Sequence, residues 1–117
     1  MSVQKITPKE LHERFQSERM LLLLDVRAEE KYNDYHIEAE NKESRNIPKT
    51  IIFGLEEGGG DLSRIDLPTD REIVVTCTTG NSAAKCANIL SRHHDSILLL
   101  EGGVTAWKEY INSHVDK

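Results

Sequence analysis

The sequence predicts an α/β fold, a central mostly parallel β-sheet of about five strands flanked by helices on both faces. Two observations carry this reading. Short apolar runs recur at residues 20–25, 73–76 and 97–100, too brief for helices and too continuous for strands with one wet face. Between and after them lie segments with helix-start signals and apolar residues at helical spacing. Strands joined through helices pair in parallel and are covered on both sides. The 117 residues fit a single domain spanning 1–117, long enough to bury about two-thirds of its unfolded surface.

Taken in order, Thr7-Pro8-Lys9-Glu10 reads as a capping box with proline at the first helical position, followed by Leu11 and Phe15 on one face, so a helix is expected from about Pro8 to Gln16. Met20 to Asp25 is a strand buried on both faces. Residues 28–35 carry enough Glu and Lys for a short exposed helix. The apolar patch from Ile47 to Phe53, interrupted by Pro48, is expected to be an edge or short strand, and Glu56 to Asp61 a surface loop around three glycines. A strand at 73–76, a helix over 83–93, a strand at 97–100, a turn at Glu101-Gly102-Gly103 and an amphipathic helix over 104–115 complete the chain.

Cys77 stands where the apolar run Glu72 to Thr76 gives way to the loop Cys77-Thr78-Thr79-Gly80-Asn81-Ser82 and then to a helix. A thiol at the end of a buried strand and the start of a helix meets unpaired backbone N–H groups, which stabilise a thiolate and any anion attached to it. Gly80 supplies a position free to adopt positive φ, so that successive amides turn inward. The hydroxyls of Thr78, Thr79 and Ser82 add donors, with the backbone expected to matter more. In open α/β sheets ligands bind beyond the carboxyl ends of the strands, where Asp25-Val26-Arg27, the Cys77 loop and Glu101-Gly102-Gly103 converge.

Fifteen Lys and Arg against twenty Asp and Glu give a formal charge of −5, which argues against nucleic acid or an anionic membrane as partner. No stretch approaches the roughly 20 apolar residues of a membrane span. The N-terminus lacks a signal-peptide core, so a cytoplasmic location is expected. Cys77 and Cys86 are the only cysteines, too few for a structural zinc site and poorly spaced for a disulfide. Cys86, beside Ile89 and Leu90, reads as core. Trp107 and Tyr110 read as packing on the sheet, His36 as a satisfied turn residue, and His93-His94-Asp95 as unsuited to a metal because neighbouring side chains diverge.

Together, Leu24-Asp25-Val26-Arg27, Glu30 with Tyr32, His36-Ile37, Asn46-Ile47-Pro48, the Cys77 loop, Leu100-Glu101-Gly102-Gly103 and Ala106-Trp107 give the chain a resemblance to the rhodanese-like domains of the sulfurtransferase family along almost its whole length. The resemblance implies a cysteine, Cys77, that takes sulfane sulfur from thiosulfate or a persulfide donor and passes it to cyanide or a thiol, including a thiol on a protein. It implies Thr78, Thr79, Gly80, Asn81 and Ser82 as the substrate-binding loop, Asp25 and Arg27 as its support, and neither metal nor organic cofactor.

Two departures stand out. Many loops of the family carry arginine at the position of Ser82, and the connection from His36 to Pro48 is lengthened by polar residues, which suggests a mobile solvated loop over 38–45 from which Lys42 and Arg45 are candidates for cationic help near the site. Two rival functions are weighed. A cysteine-dependent phosphatase would need arginine where Ala83 stands, and a binding or sensor module would keep the fold with a catalytically weak Cys77.

Overall fold

The computed structural model describes residues 3–17, 20–39, 42–57, 67–68, 70–92 and 94–114. Its elements run β1 (Gln4–Ile6), α1 (Pro8–Phe15), β2 (Leu21–Asp25), α2 (Glu29–Asp34), β3 (Glu43–Asn46), α3 (Lys49–Glu57), β4 (Glu72–Thr76), α4 (Asn81–Leu90), β5 (Ile97–Leu100) and α5 (Gly103–His114). The five strands form one sheet in the order β1-β5-β4-β2-β3, with every pairing parallel. From β2 the chain steps outward to β3 at one edge, then crosses back to β4 and β5. The crevice between the carboxyl ends of β2 and β4 is thus a switch point of the topology.

Alternation along the central strands explains the two-sided burial. Leu22, Leu24, Val26, Ile73, Val75, Cys77, Ile97 and Leu99 share a core with Ile52 of α3 and with Ala83, Cys86, Ala87 and Leu90 of α4. Leu21, Leu23, Val74, Leu98 and Leu100 face the other way, onto Leu11 of α1 and Val104 and Trp107 of α5. Successive side chains of a strand point to opposite faces, so an unbroken leucine run feeds both layers. Trp107 meets Phe15 edge to face, with ring centroids 5.4 Å apart, as its reading as core requires.

Helix α1 begins as its sequence dictates. Thr7 Oγ1 accepts from the Glu10 amide at 3.1 Å, and Glu10 Oε1 accepts from the Thr7 amide at 2.8 Å. The middle of the chain differs from expectation. The patch at 47–53 is not a strand: Pro48 precedes the first turn of α3, where its missing N–H costs nothing, and Ile52 turns inward while Ile51 stays half-exposed. The edge strand is instead the polar Glu43–Asn46, inside the segment read as a mobile loop. An edge strand is held by backbone pairing to one neighbour and needs no apolar face. Glu56 and Glu57 continue α3 rather than forming a loop, whereas Gly58 to Asp61 fall outside the described residues. Helix α4 starts two residues earlier than expected and stops at Leu90, and β1 joins β5 unannounced by any apolar run. His93 and Val115, expected to end their helices, also lie outside the described residues.

The turn after β5 has the tightest steric requirement. Gly103 has φ +62°, and a Cβ there would stand 2.3 Å from the Cys77 carbonyl oxygen and 2.7 Å from that of Thr78. Gly54, on the exposed side of α3, has nothing within 4 Å of the same construction. Gly103→Ala should therefore destabilise the fold by about 2 kcal/mol or more and lower Tm by roughly 5–10 °C. Gly54→Ala should stabilise by roughly 0.5–1 kcal/mol by removing glycine from a helix interior. Thermal and urea unfolding of both variants check this. A Gly103→Ala protein as stable as wild type would mean the turn does not need its left-handed glycine.

Candidate functional site

Cys77 continues β4 and is 5% exposed, on the floor of a cleft of about 360 Å³ at the switch point. Its Sγ accepts hydrogen bonds from the amides of Gly80 at 3.0 Å and Ala83 at 3.3 Å. Gly80, with φ +105°, is the N-cap of α4 and makes no side-chain capping bond, and the first turn of α4 holds no acidic residue. The sulfur stands in for the missing cap at the third amide of the helix, where a serine or aspartate cap would accept, and takes the N-cap amide as well. Those donors and the helix dipole direct positive potential at the thiol. The first intrahelical bond of α4 runs from Ala84 to Gly80, so the amides of Asn81 and Ser82 precede the helical ladder.

The loop is held from behind by α5. The Val104 amide donates to the Cys77 carbonyl at 2.8 Å and the Thr105 amide to the Thr78 carbonyl at 3.0 Å. Glu101, Gly102 and Gly103 do not line the cleft; they set the start of α5 behind it. Thr78 and Thr79 are exposed at the rim, and Asn81 and Ser82 complete the wall on the α4 side.

The opposite wall comes from the end of β2. Asp25 is buried, Arg27 is partly buried, and the two pair through two atoms each: Arg27 Nε lies 3.0 Å from both carboxylate oxygens and Nη2 lies 2.7 Å from Oδ2. Arg27 Nη2 also donates to the Tyr35 carbonyl. Asn46 ties the wall to β3, its Nδ2 donating to the carbonyls of Asp25 at 2.9 Å and Arg27 at 3.0 Å. Arg27 lines the cleft, but its charge is matched by Asp25.

Three site residues escaped the sequence. Ala83, one of the two amide donors, has no chemical signature, and only its place as third residue of α4 reveals it. Lys49 opens α3 and sends Nζ to within 3.0 Å of Ser82 Oγ, and Lys31 lines the cleft from α2. Lys42 and Arg45, the expected cations, lie elsewhere. Lys42 donates to the Ser17 carbonyl at 2.9 Å and Arg45 pairs with Glu43 at 2.7 Å. Once 43–46 is a strand, both residues are fixed along the sheet edge rather than on a loop able to reach Cys77.

Cys86 is fully buried, and burial pushes its thiol up to about 12, with negative charge at Cys77 acting in the same direction. His36 stacks on Tyr32 at a centroid distance of 3.8 Å and contacts Tyr32 O and Glu38 Oε2, away from Cys77. His94 contacts Pro68 O and the Ser96 amide. Among the described residues no group of three His, Cys, Asp or Glu is arranged to hold a metal, and no helix is long and apolar enough to cross a membrane.

The sequence matches the family described as rhodanese-like domain over residues 7–110. The probable adenylyltransferase/sulfurtransferase MoeZ of Mycobacterium tuberculosis is 35% identical over 103 residues, covering 87% of this chain and 24% of that protein, so the chain spans about a quarter of its curated relative. Among solved structures, a rhodanese-related protein from Thermoplasma volcanium superposes with a TM-score of 0.68 at 28% identity, over 91% of each chain. A NAD-dependent persulfide reductase from A. fulgidus gives 0.59 at 30% identity over 90% of this chain and 16% of that one. The match begins at the Thr7 cap and ends in α5, taking in the whole cleft, and on that ground the chain belongs to the rhodanese-like domain family.

Proposed function

We propose that this chain is a sulfurtransferase that carries sulfane sulfur as a persulfide on Cys77. The observation that supports the reading best is the double amide contact to Cys77 Sγ at the otherwise uncapped start of α4. A nucleophilic sulfur needs its negative charge held without a competing cation-bound carboxylate or a bulky neighbour, and the helix start supplies that. The family match and the sulfurtransferase named among the relatives point to the same chemistry.

In the first step the Cys77 thiolate attacks the outer sulfur of a donor such as thiosulfate. The new S–S bond forms as the donor's S–S bond breaks, and sulfite departs with the electron pair. In the second, cyanide or a thiolate attacks the terminal sulfur of the persulfide, and Cys77 leaves as thiolate. The negative charge sits on the terminal sulfur between the steps, next to the Asn81 and Ser82 amides at the rim of the cleft, and the two-stage course predicts ping-pong kinetics. Asp25 and Arg27 serve as positioning residues: their buried pair shapes the wall without touching the reacting sulfur. The acceptor is a small thiol or a protein thiol, and the rim at Thr78 and Thr79 is open enough for either.

Incubation with thiosulfate or glutathione persulfide should add one sulfur atom to the intact mass, and cyanide should remove it. Cys77→Ser should abolish the gain and Cys86→Ser should retain it. Wild type that gains no sulfur from either donor would instead make the chain a binding module. Cys86, with its thiol near 12, should also resist iodoacetamide at pH 8 in the folded protein, while Cys77 is alkylated. Mapping the label by peptide mass decides this, and comparable labelling of both thiols would contradict the burial argument.

A further inference from the structure

Helix α2 ends at Asp34, and Tyr35, with φ −162° and ψ 136°, takes the chain out of the helix. The Tyr35 amide still donates to the Lys31 carbonyl at 3.1 Å. The next carbonyl, that of Tyr32, is one of the orphan acceptors of a helix end, and the His36 ring meets it, with Nδ1 2.8 Å from Tyr32 O. A carbonyl oxygen only accepts, so Nδ1 carries the proton. The ring lies flat on that of Tyr32, with centroids 3.8 Å apart and planes 6° apart, and the Tyr32 hydroxyl pairs with Ser44 Oγ of β3 at 3.0 Å. Tyr35 lies between the two residues of this clasp, and its carbonyl accepts from Arg27 Nη2.

We infer that His36 is a positioning residue for the Cys77 cleft: its Nδ1–H closes the end of α2, fixes the direction of the Tyr35 carbonyl, and through that carbonyl holds the Arg27 guanidinium in the wall. The anchoring stands on the contacts alone, and its effect on catalysis rests on the sulfur-transfer reading. Arg27 Nη2 has two N–H groups, of which one goes to Asp25 Oδ2 at 2.7 Å and the other to Tyr35. Asp25 grips one edge of the planar group, and the Tyr35 carbonyl adds a second direction of hold, so a guanidinium that lines the cleft keeps one orientation. The other ring nitrogen of His36 contributes little, because Nε2 lies 3.0 Å from the carboxylate of Glu38, which is exposed. Strand β3 therefore serves the wall twice. Asn46 holds the carbonyls of Asp25 and Arg27, and Ser44 holds the tyrosine on which His36 is stacked.

The test compares wild type with three variants. His36→Phe keeps a ring on Tyr32 and removes the N–H, His36→Asn restores a donor near the Nδ1 position without the ring, and Glu38→Gln removes the charge facing Nε2. The readout that needs no turnover is exchange of the Arg27 guanidinium protons with water, followed by NMR. It should be about fivefold faster in His36→Phe, for the loss of one hydrogen bond, and within about twofold of wild type in His36→Asn and Glu38→Gln. With thiosulfate as donor and cyanide as acceptor, kcat/KM should fall about fivefold in His36→Phe and stay within about twofold in the other two. A loss that His36→Asn fails to rescue, or that Glu38→Gln shares, overturns the role given to Nδ1. Unchanged Arg27 exchange in His36→Phe overturns the anchoring whatever the activity, and faster exchange with unchanged transfer overturns its part in the reaction. If wild type acquires no sulfur, the sulfur-transfer reading fails, and Arg27 exchange alone decides the anchoring.

Discussion

The site depends on where the carbonyls of the Cys77 loop go. A loop can turn its amides toward a sulfur only if its carbonyls find donors on the other side, and here they are met by the Val104 and Thr105 amides in the first turn of α5. Two helix starts therefore flank one loop: α5 binds the oxygens of Cys77 and Thr78, and α4 offers its amides to Cys77 Sγ. The close approach explains Gly103, whose missing Cβ is what allows α5 to come up against the Cys77 carbonyl. Orphan groups at helix ends, an incidental cost elsewhere, are used on both sides of this loop to orient the carbonyls of Cys77 and Thr78 and the amides of Gly80 and Ala83.

The wall opposite is built by the same economy of partners. Asp25 ends β2 in register with Thr76 and Asn46, at the level where the sheet stops and the cleft begins. A buried carboxylate there is tolerable because the Arg27 side chain meets it in a two-atom pair and the Arg27 backbone amide donates to Oδ1 at 2.9 Å. The pair has a consequence for charge. It keeps the guanidinium in the wall but neutral in sum, so among the described residues the unmatched positive charge lining the cleft is that of Lys31 on α2 and Lys49 on α3, which the sequence places far from the cysteine.

The legible parts of this protein were those specified by local chemistry. The leucine runs declared the inner strands, Thr7 and Glu10 declared the start of α1, and a cysteine between an apolar strand and a glycine-bearing loop declared where the cleft lies. What was illegible needed tertiary context. An edge strand such as Glu43–Asn46 owes its form to backbone pairing with β2, and its polar side chains resemble a loop. Ile51, Ile52 and Phe53 are as compatible with a short strand as with a helix. The choice between them turned on Pro48, which suits the N-terminus of α3 as well as it spoils a strand. Exchanging those two elements moved the expected cations, Lys42 and Arg45, out of the cleft and brought Lys49 in. Ala83 was missed because its contribution is an amide that every residue has.

The two cysteines show that placement, not residue type, sets the chemistry. Both are buried in the same cluster on the α4 side of the sheet, and both belong to the strand-loop-helix unit that forms the site. Cys86 projects from α4 into that core among apolar side chains, where an ion has no donors and burial drives the thiol toward its neutral form. Cys77 sits one turn before the same helix, where the amides of Gly80 and Ala83 are already turned toward its sulfur. The neighbouring charge also works in one direction: a negative Cys77 makes ionising Cys86 harder. The fold thus turns amide donors toward one sulfur and surrounds the other with apolar side chains that hold it in its neutral form, so two thiols of one strand-loop-helix unit meet opposite environments.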